Sequence, residues 1–181
     1  MISPYSSKVL EPLHVENYSN RKFLIDQAQS IPSIVVSSAA AANAVMLGGG
    51  YFTPLKGYMG LADVLNVSEH MCLSSGLFWP IPVVNMVRED SLTEEIKSAS
   101  KIALLDPNVE GHPVIAVQSV DKIETMTGQQ VSEITEQVYG TTDSRHPGVE
   151  AFSGAGNTLT VSYTHLRAHE TEADIVCRRR L

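Results

Sequence analysis

Gly48 to Gly60, GGGYFTPLKGYMG, is the stretch whose reading organises the chain. The alanine-rich run Ala39 to Leu47 precedes it and the apolar positions Leu61, Ala62, Val64 and Leu65 follow it, so it reads as a helix stop, a tight turn and a second helix start. Three consecutive glycines permit positive φ and close backbone approach, and Pro54 and Gly57 then fix a compact loop. Tyr51, Phe52, Leu55, Tyr58 and Met59 are apolar enough that burial is expected of all five. A structural corner is the reading that follows.

A phosphate cradle is the alternative, and it fails on order. A P-loop needs a strand before the glycines and a Gly-Lys-Ser/Thr ending, so that backbone amides and a helix N-terminus point at the anion. Here the glycines follow a helix, and Lys56 is succeeded by Gly57 and Tyr58, with no hydroxyl for Mg²⁺.

The 181 residues are 43% hydrophobic and 18% charged, with no apolar run near the roughly 18 residues a membrane span requires. A chain of this size buries enough surface to stand without disulfide or metal. The start, MISPYSSK, lacks the basic and apolar regions of a secretory signal, and Cys72 and Cys177 form no redox or ligand pair. A cytoplasmic, reduced setting is expected. The net charge of −7 opposes nucleic-acid binding, which depends on clustered Lys and Arg releasing counterions. Four of the 13 basic residues, Arg167, Arg178, Arg179 and Arg180, lie beyond position 161, so the rest of the chain is more acidic still.

Around the corner the chain reads in order. Pro4 and Pro12 make residues 1–20 an extended lead-in with a short strand near Val9 and Leu10. Residues 20–30 form a short helix stopped by Pro32, and Ile34 to Val36 form a strand; Ser37 or Ser38 caps the alanine helix. Beyond it, Leu61 to Leu65 makes two helical turns and Ser68 opens a separate segment towards Leu73, in which Cys72 is a small buried hydrophobe. Leu77 to Val87, interrupted by Pro80 and Pro82, reads as an edge strand with Trp79 in the core. Arg88 to Ser100 is expected to be a mobile charged connector. KIALLDP and VIAVQSVDKIE then form a hairpin, and GQQVSEITEQV at 128–138 an amphipathic helix.

Two polar clusters invite chemistry. Asp106, Glu110 and His112 could ligate a metal, yet Asp106 before Pro107 is explained by turn formation. Thr141, Thr142, Asp143, Arg145 and His146 could place a general base, yet no nucleophile adjoins, and an Asp-led turn closed by Pro147 and Gly148 accounts for them.

GGGYFTPLKGYM and VYGTTDSRHPGV, with FWPIPVVNMV and IALLDPNVEGHPVIAVQSV between them in order, resemble the amino-terminal portion of the sulfate adenylyltransferase (ATP sulfurylase) family. SSAAAANAVMLGGGYFTPLKGYM is most similar to the branch found in bacteria with dissimilatory sulfur metabolism. The resemblance covers residues 1–161. It implies an α+β fold, a PUA-like mainly β pseudo-barrel with a few peripheral helices. The family's transferase chemistry, in sulfur metabolism and sulfate assimilation, joins sulfate to the α-phosphoryl group of Mg-ATP and releases pyrophosphate. That nucleotidyltransferase reaction brings two anions together, so positioned Arg and His donors are required. In the family these sit in a following domain, on a Gln-Thr-Arg-Asn segment leading to His-x-x-His and on a Gly-Arg-Asp-His segment. Neither occurs here.

No catalytic, cofactor-binding or metal-ligating residue is therefore assigned, no cofactor is expected in this chain, and the chain alone is expected to be an inactive fragment. Its expected partners are the missing catalytic domain and, in the full enzyme, further copies in a homo-oligomer, with neither nucleic acid nor membrane among them. A stand-alone RNA-binding module and an oligomer-interface domain are the alternatives. THLRAHE, Thr164 to Glu170, places His165 and His169 four apart, where the family has three. At that spacing on a helix they could share one metal with Glu170 or Asp174, but too few ligands converge. Residues 162–181, ending ADIVCRRRL, are similar to a non-native tail made when adapter or vector sequence is translated in frame, and are expected to be non-native or disordered.

Overall fold

The computed structural model describes residues 9–15, 17–162 and 166–168. Local capping sets most of its helices. The Asn17 side chain accepts hydrogen bonds from the amides of Ser19 and Asn20 and opens α1 (Tyr18–Ala28). Ser37 does the same for α2 (Ser38–Gly48), accepting from Ala40 N, and small side chains let Ala40, Ala41 and Ala44 pack flush in the core. α3 (Leu61–His70) follows the glycine corner, and α4 (Glu94–Ser98) is a single capped turn.

The first sheet has the order β1-β3-β4-β7. Its centre is the expected hairpin of β3 (Lys101–Leu105) and β4 (Val114–Ser119), paired antiparallel with Ala103 opposite Val117. β1 (Ser33–Val35) lies parallel to β3. The second sheet is β2-β6-β5, in which β2 (Met86–Val87) is the edge, β6 (Thr158–Val161) the centre and β5 (Lys122–Thr125) the other edge. Between β5 and β6 stand α5 (Gly128–Tyr139), which has a reciprocal Thr127–Gln130 capping box and ends at Gly140 with φ of 70°, and α6 (Pro147–Gly154). β7 (Leu166–Ala168) pairs antiparallel with β4.

One buried cluster joins the sheets, drawing Ile102, Leu104 and Ala116 from the first and Met86, Leu159 and Val161 from the second, with Tyr58, Met59, Val64 and Ile134 between elements. The opposite face of the first sheet is covered by α1, where Leu24 and Ala28 meet Ala103 and Val117. Period-two alternation explains the split: Ala103 and Val117 face α1 while their neighbours Ile102, Leu104 and Ala116 face the main core.

Several expectations are corrected. Val9 and Leu10 are exposed and form no strand. Ser68 begins no separate segment: α3 runs on to His70 and ends where Met71 takes φ of 52°. Leu77–Val87, interrupted by Pro80 and Pro82, is no continuous strand: Phe78 makes an isolated antiparallel bridge to Cys72 and only Met86–Val87 is a strand, although Trp79 is buried as expected and its ring meets that of Phe52 edge-on. Arg88 to Ser100 is an ordered connection with a 3₁₀ turn at Glu89–Ser91, because Leu92 and Ile96 are buried and Thr93 caps α4. VIAVQSVDKIE is two strands in two sheets, broken after Ser119. Cys72 is half-buried, with its Sγ 3.3 Å from the His70 carbonyl oxygen. His165, His169 and Cys177 lie outside the described residues, as do 163–165 and 169–181 of the tail.

Candidate functional site

The amides of the glycine run and the turn after it are taken up by local hydrogen bonds. The amides of Gly49, Gly50 and Tyr51 donate back into the last turn of α2, to the carbonyls of Val45, Leu47 and Met46. Those of Thr53 and Leu55 donate to Gly50 and Phe52. An anion cradle needs such groups unpaired and convergent, so these five amides do not form one. The Gly48 carbonyl accepts from Leu13 N at 2.8 Å and His14 N at 3.0 Å, which ties the lead-in to the helix end. Tyr58 and Met59 are buried, Phe52 and Leu55 are partly so, and Tyr51 departs from expectation at 70% exposed. Its ring lies over the Gly49 backbone, within 2.7 Å of where a Cβ would stand.

At the β3–β4 turn, Asp106 Oδ1 accepts from Asn108 N at 2.8 Å and from Asn108 Nδ2 at 3.2 Å. His112 Nδ1 lies 2.8 Å from the Asp106 carbonyl oxygen, and Glu110 is exposed. Among the described residues no three His, Cys, Asp or Glu side chains converge in a geometry that could hold a metal ion.

The second cluster is a helix start. Thr141 Oγ1 accepts from Asp143 N at 3.1 Å, Asp143 Oδ1 accepts from Arg145 N at 2.9 Å, and the Arg145 guanidinium caps the carboxylate. That side-chain hydrogen bond from Arg145 holds the Asp143 carboxyl below the usual range, the reverse of what a general base near neutrality needs. His146 Nδ1 accepts from Gly148 N at 3.1 Å and Val149 N at 3.4 Å and so caps α6; this geometry requires the proton on Nε2. The His146 ring packs against Tyr139 with centroids 5.4 Å apart.

A feature the sequence reading passed over lies between the sheets. Asn85, Gln118 and Thr160 are fully buried. Asn85 Nδ2 donates to Thr160 Oγ1 at 2.7 Å and to Gln118 Oε1 at 3.2 Å, and Gln118 Nε2 donates to the Thr160 carbonyl at 2.8 Å. Gln118 in VIAVQSV and Asn85 in PVVNMV, each a lone amide in an apolar run, were the available signal. The network positions β4, β6 and the approach to β2, and it offers no ionisable group for chemistry.

Five of the described cations are paired. Arg88 pairs with Asp90, Arg145 with Asp143, Lys97 with Glu94, Lys56 with Glu11 and Lys122 with Glu124, each with a carboxylate close by. Sulfate beside a nucleotide triphosphate needs several positive groups on one point, and each of these five is already offset by its own carboxylate.

A family profile described as "PUA-like domain" matches residues 2–162. The chain belongs to the PUA-like domain family. Within that family its matched relatives are sulfate adenylyltransferases, as the resemblance implied. It is 48% identical over 159 residues to that of Alcanivorax borkumensis, a match covering 88% of this chain and 39% of the relative. It is 47% identical over 158 residues to that of Allochromatium vinosum, covering 87% and 39%. To that of the Riftia pachyptila sulfur-oxidizing endosymbiont it is 40% identical over 156 residues, covering 86% and 35%. This PUA-like chain thus spans about two-fifths of the length of the curated relatives it matches. Among solved structures, a hexameric APS kinase from Thiobacillus denitrificans is similar at 26% identity and a TM-score of 0.57, covering 71% of this chain and 24% of that one. The PUA-like fold is α+β, as expected, with its described strands arranged as two sheets. No helix among the described residues is long and apolar enough to cross a membrane.

Proposed function

We propose that this PUA-like chain is the amino-terminal, non-catalytic portion of a sulfate adenylyltransferase. In the full enzyme it supports a following domain that binds Mg-ATP and sulfate and forms adenylyl sulfate and pyrophosphate. The observation that carries the reading is that positive charge is already answered: five of the described cations are each held by a carboxylate at the surface. The extent of the matches, 35–39% of these three relatives, supports it by leaving room for a domain that supplies the missing Arg and His groups.

The chain alone is inactive on this reading, and its setting is cytoplasmic. Its partners are that catalytic domain and further copies of the enzyme. Assembly into an oligomer is supported by the likeness to a protein described as hexameric. RNA binding is opposed by the net charge of −7. On this reading residues 162–181 are a tail foreign to the family, most of it outside the profile match over 2–162.

The test is pyrophosphate release from Mg-ATP and sulfate by the purified chain. Release at the rate of a no-protein control supports the proposal, and release above it that scales with protein concentration overturns it.

A further inference from the structure

β4 has the burial of an interior strand. Ile115, Ala116, Val117 and Gln118 are all buried, with Ala116 and Gln118 turned to the main core and Val117 to α1. A strand covered on both faces belongs inside a sheet, because its unpaired edge would otherwise leave amides and carbonyls beside apolar side chains. On one side β3 meets this need from Val114 to Ser119, with one irregularity at Ile115. On the other, pairing comes from β7, with Gln118 opposite Leu166, Val117 opposite Arg167 and Ala116 opposite Ala168.

The sequence of β7 does not explain its place there. Leu-Arg-Ala has neither a β-branched nor an aromatic residue, so side-chain preference for strand is weak. It also lies beyond residue 162, where the match to the PUA-like family ends. What β7 shares with any extended segment is its main chain. The route is short as well: Gln118 Nε2 on β4 bonds the Thr160 carbonyl on β6, so a chain leaving β6 at Val161 starts beside β4. The four residues before Leu166 span at most about 14 Å.

We propose that the outer edge of β4 is a strand-acceptor site. It takes an extended segment by main-chain hydrogen bonds, and its occupant in the parent enzyme is the family's own continuation past Ser162. The PUA-like unit is then one strand longer than the family-matched part of this chain. This rests on the reading of the tail as foreign to the family.

Hydrogen exchange of the β4 amides, followed by NMR, tests it in the full 181-residue chain. The comparison forms are two tail variants, Leu166→Pro and Arg167→Pro, and a chimera in which residues 163–181 are replaced by the residues at the equivalent positions of the Alcanivorax borkumensis relative. Successive N–H groups point to opposite sides of a strand, so one of the two prolines removes a ladder donor. That variant is expected to speed exchange of the outward amides among Ala116, Val117 and Gln118 by about tenfold or more, as local opening of an edge does. The amides of Ile102 and Leu104, on β3, report whether the fold is kept. The chimera is expected to protect the β4 amides at least as well as the original tail. Exchange unchanged by either proline, or a folded chimera whose β4 amides exchange as fast as those of the proline variant, overturns the proposal. Pyrophosphate release is a separate readout, so failure of the enzyme reading does not register in this exchange experiment.

Discussion

Gln118 on β4 donates a 2.8 Å hydrogen bond from Nε2 to the carbonyl oxygen of Thr160 on β6, and by it the two sheets are joined through the core. Because Asn85 Nδ2 bonds both Gln118 Oε1 and Thr160 Oγ1, loss of any one member leaves buried partners unpaired. Gln118→Leu is expected to destabilise the chain by about 2–3 kcal/mol, more than the net worth of one hydrogen bond, because desolvated groups are stranded. Urea denaturation gives the number. A change below about 0.5 kcal/mol would mean that the network contributes little beyond its volume.

Tyr58 sets an alkaline limit. Its hydroxyl donates to the Ala40 carbonyl at 2.8 Å, and burial raises its pKa well above the ordinary phenol value. A group whose pKa is raised by folding contributes stability that is complete below its unfolded pKa, about 10, and declines as pH rises above it. Tyr58→Phe is expected to cost about 1 kcal/mol near neutrality through the lost hydrogen bond. It should also flatten the fall in melting temperature above about pH 10. Equal alkaline slopes for the two proteins would show that another group titrates.

Glycine is required at position 57 for space. A Cβ there would stand 2.0 Å from the Ser162 carbonyl oxygen, and that backbone cannot step aside as a side chain would. Gly76 has φ of 82° and nothing within 4 Å of a Cβ, so its demand is purely conformational. Gly76→Ala is expected to cost about 1–2 kcal/mol, the price of a left-handed L-residue. Gly57→Ala should cost more than about 3 kcal/mol or abolish cooperative unfolding. Equal effects at the two positions would contradict the steric assignment.

How much of this was legible depended on the range of the interaction. The cap at Ser37, the helix over 128–138, the β3–β4 hairpin and the stop at Gly48 rest on neighbours in sequence, and they stand where the sequence put them. Asp143 and the turn at Asp106 could likewise be read as local hydrogen bonding. Leu92 and Ile96 were missed because a charged segment hid two anchors whose contacts are distant in the chain. Tyr51 was misread because its cover is the Gly49 backbone on the outside of the corner. The Asn85–Gln118–Thr160 network joins positions 75 and 42 residues apart, and no local pattern carries such a pairing.

The central claim, that this acidic PUA-like chain does not itself hold the two anionic reactants, is tested most directly by calorimetric titration of the full chain with Mg-ATP and with sulfate. Expected is heat indistinguishable from dilution for both ligands at millimolar concentration, with no change in melting temperature. Saturable binding of either one at a single site per chain, weakened by substitution of a residue such as Arg145 or Arg88, would contradict it.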